Sequence, residues 1–252
     1  MLLAIDVGNT TVSIGIFEKS RLLSANKIIT KRPVSKKYYL TEFKKILKNK
    51  KIDTSIISSV VPQVTTILKR IFKTNFGIKP IILGENLIVP IKNLYKNPKQ
   101  VGQDRLVNAY AGYKKFGGGL IIVDFGTAVT FDVVSKKGEY LGGIIVPGIE
   151  TSLKTLSEKA ALLPKIKIEK VNTLIGRDTK TSMLSGVLHG YGALCDGLIE
   201  RIRREVGNDY KVILTGGHAE LISKYCHFYS VQPNLTLEGL FLVYGETRFH
   251  SD

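Results

Sequence analysis

Three stretches of this chain carry residue types suited to phosphate and proton chemistry. The first is Asp6-Val7-Gly8-Asn9-Thr10-Thr11-Val12-Ser13, where a carboxylate ends an apolar run and a glycine turn follows. Gly8 has no Cβ, so main-chain N–H groups can approach a phosphate closely. Asn9, Thr10 and Thr11 add hydrogen-bonding side chains, and Asp6 suits the magnesium that accompanies a nucleotide. A Gly-Asn pair is also the turn of an ordinary hairpin, so this stretch alone decides nothing. Its echo weighs more. Asp124-Phe125-Gly126-Thr127-Ala128-Val129-Thr130 repeats the carboxylate, the glycine and the hydroxyl. Leu214-Thr215-Gly216-Gly217 reads as a third turn, between a strand and a helix N-terminus able to take a phosphate or an adenosine. The three turns together point to a nucleotide.

A second constellation runs from Tyr95 through Gly102-Gln103-Asp104-Arg105. Asp104 and Arg105 sit side by side at the expected start of a helix. A carboxylate there can accept a hydroxyl proton, and a guanidinium can hold an anionic substrate with two parallel hydrogen bonds. The plainer alternative is an acidic first turn beside a surface arginine. Other chemistries are excluded by pattern. There is no Walker-type phosphate loop, no dinucleotide fingerprint after a strand and no Gly-x-Ser-x-Gly elbow. His189, His218, His227 and His250 lack zinc-site spacing, and Cys195 and Cys226 cannot build a disulfide framework.

The elements that must position these residues follow from periodicity. Leu2–Asp6, Val12–Phe17 and Leu22–Ile29 read as a β-meander, followed by an amphipathic helix within residues 36–48 and a strand at Ser55–Val60. Pro62 opens a helix, Pro80–Ile91 reads as strand and loop, and a further helix spans Asp104–Phe116. Gly117-Gly118-Gly119 then breaks the chain, and strands at Leu120–Asp124, Val129–Val134 and Tyr140–Val146 repeat the opening. Helices at Ile149–Leu156 and Thr181–Arg204, a strand at Val212–Leu214 and a terminal helix at Leu235–Tyr244 complete the second half. Gly186, Gly190 and Gly192 suit close helix packing, across a dimer interface for instance. The expected division is two homologous α/β lobes, residues 1–117 and 118–252.

Composition fits that picture. Of 252 residues, 44% are hydrophobic and 23% charged, which supports a packed globular chain, and no apolar run is long enough for a membrane span. With no basic leader before Asp6 and so few cysteines, the expected place is the cytoplasm. Lys and Arg outnumber Asp and Glu by 37 to 21, a net charge of +16. The excess favours anionic partners, but it is spread along the chain and no Trp is present, which disfavours nucleic acid.

In this order, Asp6–Ser13, Gly102–Arg105, Asp124–Thr130, Leu141-Gly142-Gly143 with Pro147-Gly148, and Gly176-Arg177-Asp178-Thr179 with Ser185-Gly186 resemble the type III pantothenate kinases. The resemblance covers residues 6 to about 217. It implies a two-lobed fold of the acetate and sugar kinase, Hsp70 and actin type, ribonuclease H-like in each lobe, with the active site in the cleft between lobes. It further implies ATP-dependent phosphorylation of pantothenate to 4'-phosphopantothenate, the first step of coenzyme A synthesis, by a homodimer. On matching positions, Asp104 would accept the proton of the primary hydroxyl and Arg105 would grip the substrate carboxylate. Tyr95, Gly102, Gln103, Asp104, Arg105 and Thr179 would line the pantothenate site. Asp6, Val7, Gly8, Asn9, Thr10, Thr11, Val12, Ser13 and Thr127 would bind ATP. Asp124 would hold a monovalent cation, potassium or ammonium, and Asp6 the Mg²⁺ of the nucleotide. Gln103 and Asp178 depart from the family's usual small residue and Asn. The charge of Asp178 would oppose an anionic acid unless turned away or paired. The competing readings are a non-catalytic regulator on the same fold and a kinase for another small hydroxy acid or sugar.

Overall fold

The structure is a computed structural model that describes residues 1–48, 50–227 and 229–246. His250 lies outside the described residues. Two compact units are present, residues 1–114 with the described residues from Asn234 onward, and Lys115–Pro233.

In the first unit, strands β1 (Leu2–Val7), β2 (Thr11–Glu18) and β3 (Arg21–Ile29) form an antiparallel meander. Helix α1 (Lys36–Ile46) follows, then β4 (Thr54–Ser59), α2 (Pro62–Phe76) and the short β5 (Ile81–Ile82). β4 and β5 add in parallel beyond β1, so the sheet order is β3-β2-β1-β4-β5. β1 sits in the middle and five of its six residues are buried, as expected of a strand covered on both faces. Pro62 occupies the first turn of α2, where its missing N–H costs nothing, and Gly77 ends that helix in the left-handed conformation. Tyr39, Phe43, Val64, Leu68 and Phe72 join the two helices to Ile5, Ile14 and Ile57 in one core. A single 3₁₀ turn at Pro98–Gln100 leads into α3 (Gln103–Phe116).

The second unit repeats this plan. Strands β6 (Leu120–Phe125), β7 (Ala128–Val134) and β8 (Tyr140–Pro147) form the meander, followed by α4 (Ile149–Lys159) and α5 (Thr179–Val206). Then come β9 (Lys211–Thr215), the one-turn α6 (Ala219–Ile222) and β10 (Ser230–Val231). The sheet order is β8-β7-β6-β9-β10, the first sheet's topology strand for strand, and β6 has the burial pattern of β1. α5 backs the core through Leu184, Leu188, Cys195 and Ile199. Among its glycines, Gly192 packs against the main chain of Tyr225, whereas Gly186 and Gly190 meet nothing within 4 Å among the described residues.

The terminal helix α7 (Leu235–Glu246) departs from the expected division. The sequence reading placed it with residues 118–252, but it packs on β1, β2 and β4 of the first unit. The physical reason is its composition: apolar residues run almost all the way round, so it needs cover on more than one side. Phe241 stacks on Phe17 at 4.9 Å, and Thr236 Oγ1 donates to Asn108 of α3 at 2.8 Å. Among the described residues, no helix is long and apolar enough to cross a membrane.

Candidate active site

In the first unit, Asp6 is the fifth of the six residues of β1 and the only one of them to keep some exposure. The register places it directly between Ser13 on β2 and Ser58 on β4, so three oxygen-bearing side chains share one face of the sheet. The β1–β2 turn closes with the Gly8 N–H donating to the Thr11 carbonyl at 2.9 Å. Asn9, Thr10 and Thr11 are exposed, while the side chains of Val7 and Val12 are fully buried in the core. Those two valines therefore offer the turn only their main chain. Residue Thr30, just past β3, donates its hydroxyl to the Gly8 carbonyl at 2.7 Å and its N–H to the Thr10 carbonyl at 2.8 Å. Arg32 Nη2 donates to Asn9 Oδ1 at 2.9 Å. Thr30 and Arg32 carry no signal in the sequence, because nothing in a one-dimensional pattern brings the end of a third strand back to the first turn.

The residues of the same unit expected to face the phosphate acceptor lie at the start of α3 and, for Tyr95, in the segment before it. Tyr95 is half-buried, with its N–H on Asn93 Oδ1 at 3.0 Å. Arg105 is buried, at 8% exposure. Gln103 packs against Gly84. The Asp104 Oδ1 is out of reach of solvent and has no hydrogen-bond partner among the described residues. It lies over Gly102 so closely that a Cβ on that glycine would collide with it. Burial pushes the Asp104 carboxyl above the usual carboxylate range, outweighing the Arg105 N–H and the Arg105 charge that pull it down. A half-buried carboxylate with a raised pKa is a better proton acceptor than an exposed one.

In the second unit Asp124 stands in β6 as Asp6 does in β1, registered between Thr130 on β7 and Thr215 on β9. Thr130 and Thr215 are turned elsewhere, to Asp132 Oδ2 at 2.9 Å and the Gln232 carbonyl at 2.7 Å. The Asp124 carboxylate instead lies against the Gly216 turn. Gly216 has φ +95°, and any side chain there would meet Asp124 Oδ1 and the Phe125 main chain. The Gly216-Gly217 turn thus makes room for Asp124. The helix expected after it is a single turn, too short for the N-terminal anion site anticipated from the sequence. The exposed Thr127 has its carbonyl held by the Gly148 N–H at 3.1 Å and Thr151 Oγ1 at 3.0 Å. This reproduces, with other residues, the support that Thr30 gives the first turn.

Thr179 opens α5 and lines a surface pocket of about 610 Å³ with Gly176, Arg177, Asp178, Ser182 and Met183. Asp178 is the N-cap of α5: it accepts from the Thr181 N–H at 2.8 Å, and Thr181 Oγ1 accepts the Asp178 N–H in return. That N–H holds the Asp178 carboxyl below its usual range. The extra negative charge is therefore paired with a helix terminus. Among the described residues no three His, Cys, Asp or Glu side chains cluster as a metal cage. A divalent ion at Asp6 would thus take most of its ligands from phosphate and water, the usual habit of magnesium. At Asp124 the carboxylate is a hard oxygen donor, of the kind that suits an alkali cation or ammonium.

The model of the type III pantothenate kinase family matches residues 2–201. The type III pantothenate kinase of Persephonella marina is 42% identical over 253 residues, covering 97% of this chain and 98% of its own length. That of Myxococcus xanthus is 40% identical over 256 residues, with 98% and 99% covered. Among solved structures, a chain from Campylobacter jejuni assigned to the Baf family of transcriptional activators has a TM-score of 0.60 at 21% identity, covering 98% of this chain and 99% of that one. A ROK family glucokinase from Streptomyces griseus, in complex with glucose and AMPPNP, has a TM-score of 0.52 at 10% identity, with 95% and 97% covered. At such identities the two structures speak to the fold alone, and they place it with the sugar kinases and their relatives.

Proposed function

Because the chain belongs to the type III pantothenate kinase family, it is a kinase that phosphorylates pantothenate with ATP in coenzyme A synthesis, and we propose that Asp104 is its proton acceptor. The observation that carries this assignment is the buried, unpartnered Asp104 Oδ1 with its raised pKa. Asp104 accepts the proton of the primary hydroxyl as that oxygen bonds to the γ-phosphorus and the bond to the ADP oxygen breaks. Phosphoryl transfer has a loose transition state, so the acceptor carboxylate mainly orients the hydroxyl and takes its proton late. Arg105 pairs with the pantothenate carboxylate, and Tyr95, Gly102, Gln103 and Thr179 complete the acceptor's surroundings.

On the donor side, residues Asp6–Ser13 and Thr127 bind the ATP phosphates through turn amides and hydroxyls. Asp6 is the magnesium ligand and Asp124 the ligand of potassium or ammonium. These cations supply positive charge that offsets the charge spread over the transferring phosphoryl group. The protein works in the cytoplasm as a homodimer, as the family resemblance implies. The test is ATP-dependent phosphorylation of pantothenate with Mg²⁺ in potassium against sodium buffer. Turnover that depends on potassium or ammonium supports the substrate and the role of Asp124 together. Turnover equal in both buffers removes Asp124 as a cation ligand, and no turnover with ATP bound removes pantothenate as acceptor.

A further inference from the structure

Two of the residues that follow β3 are hydrogen-bonded to the turn between β1 and β2. The Thr30 hydroxyl and N–H hold the carbonyls of Gly8 and Thr10, and the Arg32 guanidinium holds the Asn9 side chain. The segment is itself anchored from α1, where the buried Tyr39 hydroxyl accepts the Lys31 N–H at 3.0 Å. Neither Gly8 nor Thr10 precedes the one cis peptide of the described chain, which joins Arg32 to Pro33. In a trans peptide the C=O and the next N–H point opposite ways. Turning the Gly8 and Thr10 carbonyls onto Thr30 therefore turns the Asn9 and Thr11 N–H groups away from it and fixes their direction. Thr30 is 6% exposed, so its hydrogen bonds work out of competition with water. Arg32 is exposed, and one of its five donors is spent on Asn9.

We infer that the end of β3 belongs to the nucleotide site: Thr30 is a positioning residue that sets the turn amides for phosphate, and Arg32 is a phosphate-contacting residue. The inference rests on the assignment of residues 6–13 to ATP. In the second unit Gly148 and Thr151, which follow the third strand of that meander, hold a single turn carbonyl, that of Thr127, so a turn carbonyl is held from beyond the meander in both units. Arg32 gives the first turn a guanidinium suited to the charged part of the nucleotide.

The experiment compares Thr30→Val, Thr30→Ser, Arg32→Gln and Asp6→Asn with the wild-type protein, by steady-state kinetics and by direct titration with ADP and adenosine. Thr30→Val keeps the shape and removes the hydroxyl. It is expected to raise KM for ATP about five- to tenfold, the worth of one buried hydrogen bond, with KM for pantothenate within about twofold. Thr30→Ser restores the hydroxyl and the ATP affinity, which a merely structural role of the threonine methyl would not allow. Arg32→Gln, on the surface and free of folding effects, is expected to weaken ADP about tenfold and leave adenosine unmoved. An unchanged KM for ATP in folded Thr30→Val, or ADP and adenosine weakened equally in Arg32→Gln, overturns the inference. If Asp6→Asn leaves ADP affinity intact, residues 6–13 are not the nucleotide turn and the underlying assignment fails. If Asp6→Asn weakens ADP while the β3-end variants do not, only the present inference fails.

Discussion

Replacing Asp104 by Asn separates what the carboxylate does for the reaction from what it does to the fold. The substitution preserves shape and removes the negative charge. A positioned general base contributes about 10²–10⁴-fold, so kcat is expected to fall by that much while ADP affinity stays within about twofold. The effect on stability has the opposite sign. Burial dominates the environment of Asp104 and raises its pKa, so the folded state holds the proton more tightly than the unfolded chain does. Such a group favours folding fully below the unfolded pKa. That contribution is lost as pH rises through the folded pKa, leaving the ionised carboxylate as a liability at neutral pH. Asp104→Asn is therefore expected to have a higher Tm than wild type at pH 8. The same linkage fixes the activity profile: wild-type kcat/KM for pantothenate falls as pH drops through a carboxyl pKa above 3.8, the ordinary value for Asp. The assays are coupled turnover, calorimetric titration with ADP and thermal unfolding at pH 8 and pH 4. Turnover within tenfold of wild type would remove Asp104 as the base. A lower Tm at pH 8 would show that pairing with Arg105 outweighs burial, and would refute the electrostatic reasoning even if turnover were lost.

Gly216→Ala places a Cβ against Asp124 Oδ1 at a φ of +95°, a strain of order 1–3 kcal/mol. It should lower Tm and raise the potassium concentration for half-maximal activity at least tenfold, and an unmoved potassium curve argues against a cation at Asp124. Asp178→Asn retains a side-chain oxygen for the Thr181 N–H, so thermal unfolding and KM for pantothenate are expected to stay close to wild type. Asp178→Ala loses the cap and should lower Tm, and a marked fall in KM for Asp178→Asn would mean the charge does reach the substrate. The net charge of +16 predicts steering of two anionic substrates. Raising tetramethylammonium chloride from about 0.05 to about 0.5 M at fixed potassium should reduce kcat/KM several-fold with kcat unchanged. A flat salt profile places the excess charge away from the substrates' path.

The central strands were legible because their signals are local. Apolar runs ending at Asp6 and Asp124, each closed by a glycine turn, locate β1 and β6 within a residue of where they lie. The helix opened by Pro62 and the one over Gln103–Phe116 were equally plain. What escaped depends on contacts distant in sequence. β10 has two residues, too few for any period to register, and pairs along the edge of β9, whereas β5 lies inside the stretch Pro80–Ile91 that reads as strand and loop. The terminal helix was recognisable as a helix, but its attachment was not, since an apolar helix does not encode which sheet it covers. Thr30 is one of many threonines until the β2–β3 register carries it to Gly8 and Thr10. Asp178, an apparent liability in the linear pattern, is resolved by a partner only three residues away, visible once α5 is known to begin at Thr179.

The parts that repeat and those that do not divide along functional lines. Asp6 and Asp124 share a strand position, flanking hydroxyl residues and a turn whose carbonyls are held from behind. Gly102–Arg105 at the head of α3 and the pocket at the head of α5 lie instead on helix starts outside the repeated strand–turn–strand units. On the proposed assignment, the duplicated turns serve the nucleotide and the helix starts serve the acceptor. The sheet core then constrains the phosphate chemistry, because moving Asp6 or Asp124 means shifting the register of a buried central strand. The acceptor residues sit on helix ends and loops, where replacement disturbs less packing. A fold shared by a sugar kinase such as the Streptomyces griseus glucokinase and by this pantothenate kinase family is what such a division allows. If the proposed assignment holds, exchange of Tyr95, Arg105 and Thr179 should alter KM for the acceptor while leaving ADP affinity in place.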